Sequence, residues 1–192
     1  MTAPLMRLRT SHAWGAVLLL LAIAALILWS MGRPLICTCG TVKLWAGTVN
    51  GPDNSQHLID WYSPSHLIHG LLLYAATHLL MRGRGFGARL VAATAVEAAW
   101  VVLENSQAVI DRYREVTMAL GYYGDSVLNS LSDIGWMVIG FMLARRLPVR
   151  ASIALGVGLE LFTLALIRDN LTLNVLMLVW PLDSVRAWQA GG

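Results

Sequence analysis

Histidines and carboxylates lie within long apolar segments of this sequence, where charged groups are rare. His66 and His69 are three residues apart, which places both on one face of a helix. Glu104 and Asp133 lie in two later apolar segments. A His-x-x-His pair with carboxylates on neighbouring helices has the ligand types of a metal site in a helical bundle. The same carboxylates could instead act as general acid and base.

Four acids lie inside the apolar segments, and their energetic cost makes them candidates for function. A charged residue at the centre of a bilayer costs roughly 2.5–3.5 kcal/mol on insertion scales. Four unpaired acids would cost on the order of 10 kcal/mol, which is comparable to the stability of a whole domain. They must therefore be paired, protonated or hydrated. These acids are Glu97, Glu104, Asp133 and Glu160.

The composition places the chain among membrane proteins. Of its 192 residues, 57% are hydrophobic and 13% are charged, whereas a soluble domain has about 25% charged residues. A transmembrane helix needs about 20 mostly apolar residues. We predict an all-α fold, a multi-pass transmembrane helical bundle of about five spans that forms a single integral membrane domain over residues 1–192. The predicted spans are 13–32, 63–81, 89–110, 126–144 and 151–167.

The arginines predict the orientation of the spans. Eight of them lie in short segments beside the spans, where the positive-inside rule applies. These are Arg7, Arg9, Arg82, Arg84, Arg89, Arg145, Arg146 and Arg150. The N-terminus is therefore predicted to be cytoplasmic and the loop over residues 33–62 external. The tail over residues 168–192 has an apolar run of about ten residues, too short to span, and predicts a short interfacial or re-entrant helix.

Helix geometry predicts that the polar groups meet near the outer surface. Because a helix rises 1.5 Å per residue, His66 and His69 lie roughly 5–10 Å below the outer boundary. Glu97 and Glu160 are expected to lie deeper. Two further predicted spans carry polar residues at the level of the histidines, and these residues are Glu104, Asn105, Asn129 and Asp133.

Three uses of this polar group stay open. In the first, His66 and His69 hold a divalent metal. In the second, His66, His69, Glu104 and Asp133 catalyse acid–base chemistry on a lipid head group. In the third, the groups only hydrogen-bond one another and fix the helix packing. Substrate binding is assigned to Arg112, Asp125 and Asn129, although Arg112 could instead pair with neighbouring acids.

The predicted external loop is unusually long. At about thirty residues it exceeds the 12–15 residues beyond which loops are usually functional or disordered. We expect it to fold over the outer end of the bundle as a lid. Its Cys37 and Cys39 could chelate a metal, form a small-ring disulfide, or be two incidental thiols beside a turn.

Two functional classes are not favoured. The net charge of +3 arises from scattered basic residues without an aromatic ladder, so no nucleic-acid partner is expected. A transporter is disfavoured because the five spans show no inverted repeat. Membrane lipids are the expected partners. Whether the chain is an enzyme or a non-catalytic scaffold is left open.

Six ordered motifs give the sequence a family resemblance. They are 54–62 (NSQHLIDWY), 65–70 (SHLIHG), 104–106 (ENS), 110–114 (IDRYR), 124–133 (GDSVLNSLSD) and 167–174 (IRDNLTLN). Together they resemble a family of alphaproteobacterial inner-membrane proteins of unknown function, over nearly the whole chain from Met31 onward. The resemblance implies a multi-pass location in the cell inner membrane and no particular activity.

A weaker likeness is to VanZ-like membrane proteins. Those also have an early histidine, a glutamate on the next helix and an aspartate followed by glycine on the helix after it. Here the corresponding residues are His66 or His69, Glu104, and Asp133 with Gly140.

Overall fold

The computed structural model describes residues 10–117 and 121–191. Within these ranges the chain is helical apart from loops and one isolated β-bridge between Trp45 and Ile59, which confirms the predicted all-α class. Arg7 and Arg9, which contributed to the predicted orientation, lie outside the described residues. The helices are α1 (Thr10–Ser30), α2 (Ser63–Leu80), α3 (Phe86–Glu104), α4 (Gln107–Val116), α5 (Val127–Arg146), α6 (Val149–Ile167), α7 (Leu171–Val179) and α8 (Asp183–Gln189).

Four helices, α1, α3, α5 and α6, are long and apolar enough to cross a membrane. The second predicted span, 63–81, corresponds to α2, which has 18 residues but is less apolar because it carries three histidines and two serines. Whether α2 spans the membrane, and which side the N-terminus occupies, stay predictions.

The third predicted span, 89–110, is divided in the structure. Helix α3 ends at Glu104 and the amphipathic α4 starts at Gln107. The Asn105 side chain explains the break. Its Nδ2 donates to the carbonyl of Val101 at 3.0 Å, and its Oδ1 accepts the backbone N–H of Asp125 at 2.7 Å. The break shortens α3 at the end nearest the polar residues.

Helices α2 and α5 cross in direct backbone contact at two glycines. A Cβ atom on Gly140 would collide with the carbonyl oxygen of Leu67, and one on Gly70 with backbone atoms of Met137 and Phe141. Small residues at a crossing allow two helices to approach this closely. The crossing holds the histidine face of α2 against α5.

The outward faces of the bundle are apolar. On α1 the side chains of Leu18 and Leu26 are 66% and 62% exposed, and on α6 those of Ile153 and Leu161 are similarly open. Soluble monomers rarely expose contiguous apolar surface of this extent. These faces suit contact with lipid chains.

The predicted C-terminal interfacial helix is two short helices, α7 and α8, and α7 lies beside α6. The backbone N–H groups of Leu171 and Thr172 both donate to the Glu160 carboxylate at 3.0 Å. Asn170 caps the same helix by accepting the N–H of Leu173 at 2.8 Å. Glu160, which the sequence analysis placed among the deeper acids, is therefore a cap that attaches α7 to the middle of α6.

Asp169 joins the tail to the 33–62 loop, and its burial makes the stability of the fold depend on pH. It accepts hydrogen bonds from Tyr62, Asn174 and Gln189, and burial raises its pKa to about 6. Between about pH 4 and 6 the folded chain then holds a proton that the unfolded chain has released, so this contribution to stability falls as pH rises. The shift corresponds to on the order of 3 kcal/mol.

Replacing Asp169 tests this pH dependence. Thermal unfolding is measured in detergent from about pH 4 to 7. As the pH rises, wild type should lose stability relative to Asp169→Asn. Asp183→Asn, at the exposed start of α8, should follow wild type. If the stability of wild type and that of Asp169→Asn changed with pH in parallel, the raised pKa of Asp169 would be contradicted.

Candidate functional site

Two histidines of α2 converge on one glutamate of α3. Glu97 Oε1 lies 2.7 Å from His66 Nδ1 and 3.0 Å from His69 Nδ1, and its Oε2 lies 3.1 Å from the same His69 atom. His66 and Glu97 are buried, and His69 is partly exposed. One ligand atom from each residue lies within 4.8 Å of the other two. We call these three residues the Glu97 cluster.

The structure corrects the predicted depth of Glu97. With the third span ending at residue 110, Glu97 would lie roughly 20 Å from its outer end. Because α3 ends at Glu104, that distance is roughly 10 Å. His69 lies a similar distance, roughly 9 Å, from the start of α2 at Ser63. The two residues are therefore level, as their hydrogen bonds require.

Asp133 of α5 lies on the other side of His66. Its Oδ2 is 3.7 Å from His66 Nε2, which is beyond hydrogen-bond distance. Its buried Oδ1 has no hydrogen-bond partner among the described residues. A buried carboxylate oxygen without a partner is costly, and here it leaves an acceptor free for a molecule bound beside the histidine.

These groups lie on the wall of a cavity of about 370 Å³. Five carboxylates line it, those of Asp60, Glu97, Glu104, Asp125 and Asp133. The rest of the wall is largely apolar, with side chains from α2, α3 and α7 that include Leu73, Trp100, Leu171, Val175 and Leu178. An apolar cavity with a few convergent polar groups is the usual form of a small-molecule site.

Asp125 lies on the cavity wall at the centre of a group of hydrogen bonds. Its Oδ2 accepts from Asn105 Nδ2 at 2.7 Å, and its Oδ1 accepts from the Tyr122 hydroxyl at 2.8 Å. Burial raises the pKa of Asp125 to about 6, although these two hydrogen bonds oppose the shift. Glu104 lies on the same wall and is buried. Glu104 and Asp125 thus line the same cavity.

Asn129 ties the 33–62 loop to α5 instead of lining the cavity. Its Nδ2 donates to the carbonyl of His57 at 2.7 Å and to Asp60 Oδ2 at 3.3 Å. Asp60 in turn accepts the N–H groups of Tyr62 and Ser63 at the start of α2. The loop is thus attached to the bundle, and its residues Asn54, Ser55, Asp60 and Tyr62 form part of the cavity wall.

Arg112 is not brought to the cavity wall. Its Nε donates to the carbonyl of Leu178 at the end of α7, and its Nη1 lies 3.4 Å from Glu115. Arg114 similarly lies 3.6 Å from Asp111. The geometry agrees with the alternative in which these arginines pair with neighbouring acids, and the substrate-binding role of Arg112 stays a prediction.

The Glu97 cluster has the ligand types of a catalytic zinc site. Two imidazoles and one carboxylate leave a fourth position for water or substrate. Sequence reasoning included both histidines and missed Glu97 as their partner. Glu97 is seven residues from Glu104, which places both on one face of α3. That spacing was the signal in the sequence that could have identified Glu97 as part of the site.

Comparison with known proteins places the chain in a family. Residues 28–191 match the family described as "Protein of unknown function (DUF2585)". The chain belongs to this family. The match includes α2, α3 and α5, which carry the Glu97 cluster and Asp133.

The most similar relatives include UPF0314 proteins from several alphaproteobacteria. The chain is 58% identical to that of Rhizobium meliloti (strain 1021) over 92% of this chain and 89% of the relative. It is 58% identical to that of Paracoccus denitrificans (strain Pd 1222) over 95% and 94%. These matches confirm the family resemblance. The likeness to VanZ-like proteins stays a prediction. No solved structure matches the chain.

Proposed function

We propose that this chain is an inner-membrane, metal-dependent hydrolase of a lipid or lipid-linked envelope molecule. The observation that carries the proposal is the convergence of His66, His69 and Glu97 on the wall of a cavity that is otherwise largely apolar. The arginine distribution supports an orientation with the cavity near the external side of the membrane.

A metal fits the Glu97 cluster with small side-chain movements. The nitrogen and oxygen atoms lie 2.7–3.1 Å apart. Tetrahedral zinc holds nitrogen and oxygen ligands at roughly 2.0–2.2 Å, which places two ligand atoms roughly 3.4 Å apart. The nitrogen–oxygen pairs would therefore lengthen by roughly 0.3–0.7 Å on metal binding. The bound ion would lower the pKa of a coordinated water.

Two further carboxylates would assist the reaction. Asp133 lies on the Nε2 side of His66, away from the nitrogen that contacts Glu97, and would hold that imidazole in position as carboxylates behind metal-binding histidines do. Glu104, on the same cavity wall, would donate a proton to the leaving group, and the proton of the attacking water would pass to bulk water.

The cavity wall indicates a substrate with an apolar chain. Leu72 and Val96 line the cavity, yet their side chains are 58% and 56% exposed on the outer faces of α2 and α3. Because α2 and α3 are both predicted spans, a substrate would reach the cavity from the bilayer between these two side chains. Trp100, Val175 and Leu178 provide apolar surface for an acyl or polyprenyl chain of the substrate. The five carboxylates of the cavity wall would contact the polar head of the substrate.

Removing one histidine tests the metal. We expect purified wild type to contain about one divalent ion per chain and His69→Ala to contain less than about a tenth of that, because it lacks a direct ligand. His78→Ala, an exposed residue of the same helix, is the matched control and should retain the ion. Elemental analysis of the detergent-purified proteins measures this.

Lipid profiles of cells test the reaction. Cells that lack the chain should accumulate a lipid species, and wild type or His78→Ala should reverse the change while His69→Ala should not. An unchanged profile in cells whose purified chain binds metal would contradict the hydrolase. Absence of metal from wild type would contradict the metal mechanism.

A second candidate is a non-catalytic scaffold or partner-binding subunit with a structural polar cluster. One observation favours it: Glu97 already accepts hydrogen bonds from both histidines without any further group. Satisfied interhelical hydrogen bonds stabilise helix packing in membranes. The scaffold predicts a protein without bound metal, unchanged lipids, and lower thermal stability in His69→Ala.

A further inference from the structure

Two cysteines and a histidine meet in the 33–62 loop, outside the cavity wall. Cys37 and Cys39 form a disulfide with their Cα atoms 5.1 Å apart, which is an ordinary separation. One ligand atom from each cysteine and one from His57 lie within 4.8 Å of one another. The loop therefore brings together two soft sulfur ligands and one imidazole.

His57 is held as a metal-binding histidine usually is. Its ring is fully buried, and its Nε2 has no hydrogen-bond partner within the described part of the chain. The Asp53 carboxylate lies 3.6 Å from Nε2, and the backbone N–H of Lys43 donates to Nδ1 at 3.3 Å. Metal-binding histidines commonly direct their second nitrogen towards a carboxylate in this way.

Asp53 lies behind the histidine. Its carboxylate forms an ion pair with the Lys43 ammonium group. An ionised carboxylate near Nε2 favours the tautomer with its proton on Nε2. The lone pair of Nδ1, which receives only the weak bond from Lys43, is then the one available to a metal.

We propose that Cys37, Cys39 and His57 form a redox-gated site for copper(I). A dithiol donor reduces the disulfide: the S–S bond breaks, the cysteines take up two electrons and two protons, and the donor becomes a disulfide. Copper(I) then displaces both thiol protons and binds two thiolates and the imidazole. Thiolates are soft ligands of the kind that copper(I) prefers. In the oxidised loop the two sulfur atoms bind each other and the site is closed.

The site differs from the Glu97 cluster in its residues and in its chemistry. It shares no ligand with that cluster, and it uses soft sulfur where the cluster uses imidazole and carboxylate. The two are nevertheless connected, because the His57 carbonyl accepts a hydrogen bond from Asn129 of α5. Copper binding that moves His57 would therefore alter this hydrogen bond, which joins the loop to α5.

The test uses the purified full chain in detergent. One sample stays oxidised, and the other is reduced with a phosphine that is removed without air. Each is titrated with copper(I) against a coloured copper(I) chelator. The reduced chain should retain about one copper per chain and the oxidised chain less than about a tenth of that. Sulfur-to-copper charge-transfer absorbance should accompany the binding.

Two variants test the ligands and two serve as controls. Cys39→Ser, at an exposed residue, should weaken copper binding by more than about tenfold because a direct ligand is lost. The exposed neighbour Thr38→Ser should bind as wild type does, and His57→Gln should bind weakly even when reduced. His69→Ala should bind copper normally.

Three results would overturn the proposal. The first is a reduced wild type that binds no more copper than the oxidised chain, and the second is unchanged binding by Cys39→Ser. The third is loss of copper in His69→Ala, which would assign the copper to the Glu97 cluster. Copper binding by the loop and metal binding by the Glu97 cluster are measured in separate experiments. Either proposal can therefore be contradicted without affecting the other.

Discussion

Replacing Glu97 with glutamine is expected to abolish metal binding by the Glu97 cluster. The substitution keeps the volume of the side chain but removes the charge that both histidines contact at 2.7–3.1 Å. A neutral amide is a poor ligand for a divalent ion, so affinity should fall by more than the roughly 10- to 100-fold typical of outer-shell changes. Elemental analysis and lipid profiles measure the effect.

Glu104→Gln is the matched comparison for Glu97→Gln. Glu104 lies on the same helix face and the same cavity wall but contacts neither histidine through a hydrogen bond in the structure. We expect it to retain the metal and lose the reaction, because its predicted role is to donate a proton. If both variants keep the ion, Glu97 is not a ligand.

Replacing Gly140 with alanine is expected to disrupt the bundle. The added methyl group would meet the backbone carbonyl of Leu67 on α2, and backbone cannot rotate away as a side chain can. Overpacking of this kind costs roughly 1–3 kcal/mol and occasionally more, and a clash with backbone puts this substitution at the upper end. Separation of α2 from α5 would also move His66 away from Asp133.

Gly135 provides a control on the same helix. A Cβ atom there has nothing within 4 Å, so Gly135→Ala should leave packing intact and stabilise α5 by up to about 1 kcal/mol through helix propensity. Thermal unfolding in detergent compares the two. Equal stability of Gly140→Ala and Gly135→Ala would show that the crossing tolerates a wider separation.

The main architecture could be predicted from the sequence because apolar length determines it directly. Four predicted spans have counterparts among the helices long enough to cross a membrane, and their ends differ by a few residues. The break near residue 105 could not be predicted from apolar length, since residues 89–110 read as one segment. It depends on Asn105 bonding to Asp125, a contact between residues 20 positions apart.

The candidate site was predictable in its residue types and less so in its pairing. The spacing of His66 and His69 fixed their shared face, but their partner depended on where α3 ends. Glu160 shows the same limit. An acid in an apolar segment indicates that something must satisfy it, and only the tertiary structure shows that the backbone N–H groups of α7 do so.

The proposed entry of substrate between Leu72 and Val96 would determine how the reaction has to be measured. A substrate that enters from the bilayer is never dissolved in water, so its concentration is its mole fraction among the lipids. Rates would then follow the proportion of substrate in a vesicle or micelle and fall when inert lipid or detergent is added at constant total substrate. An assay that varies only the bulk concentration would misread the affinity of the cavity for its ligand.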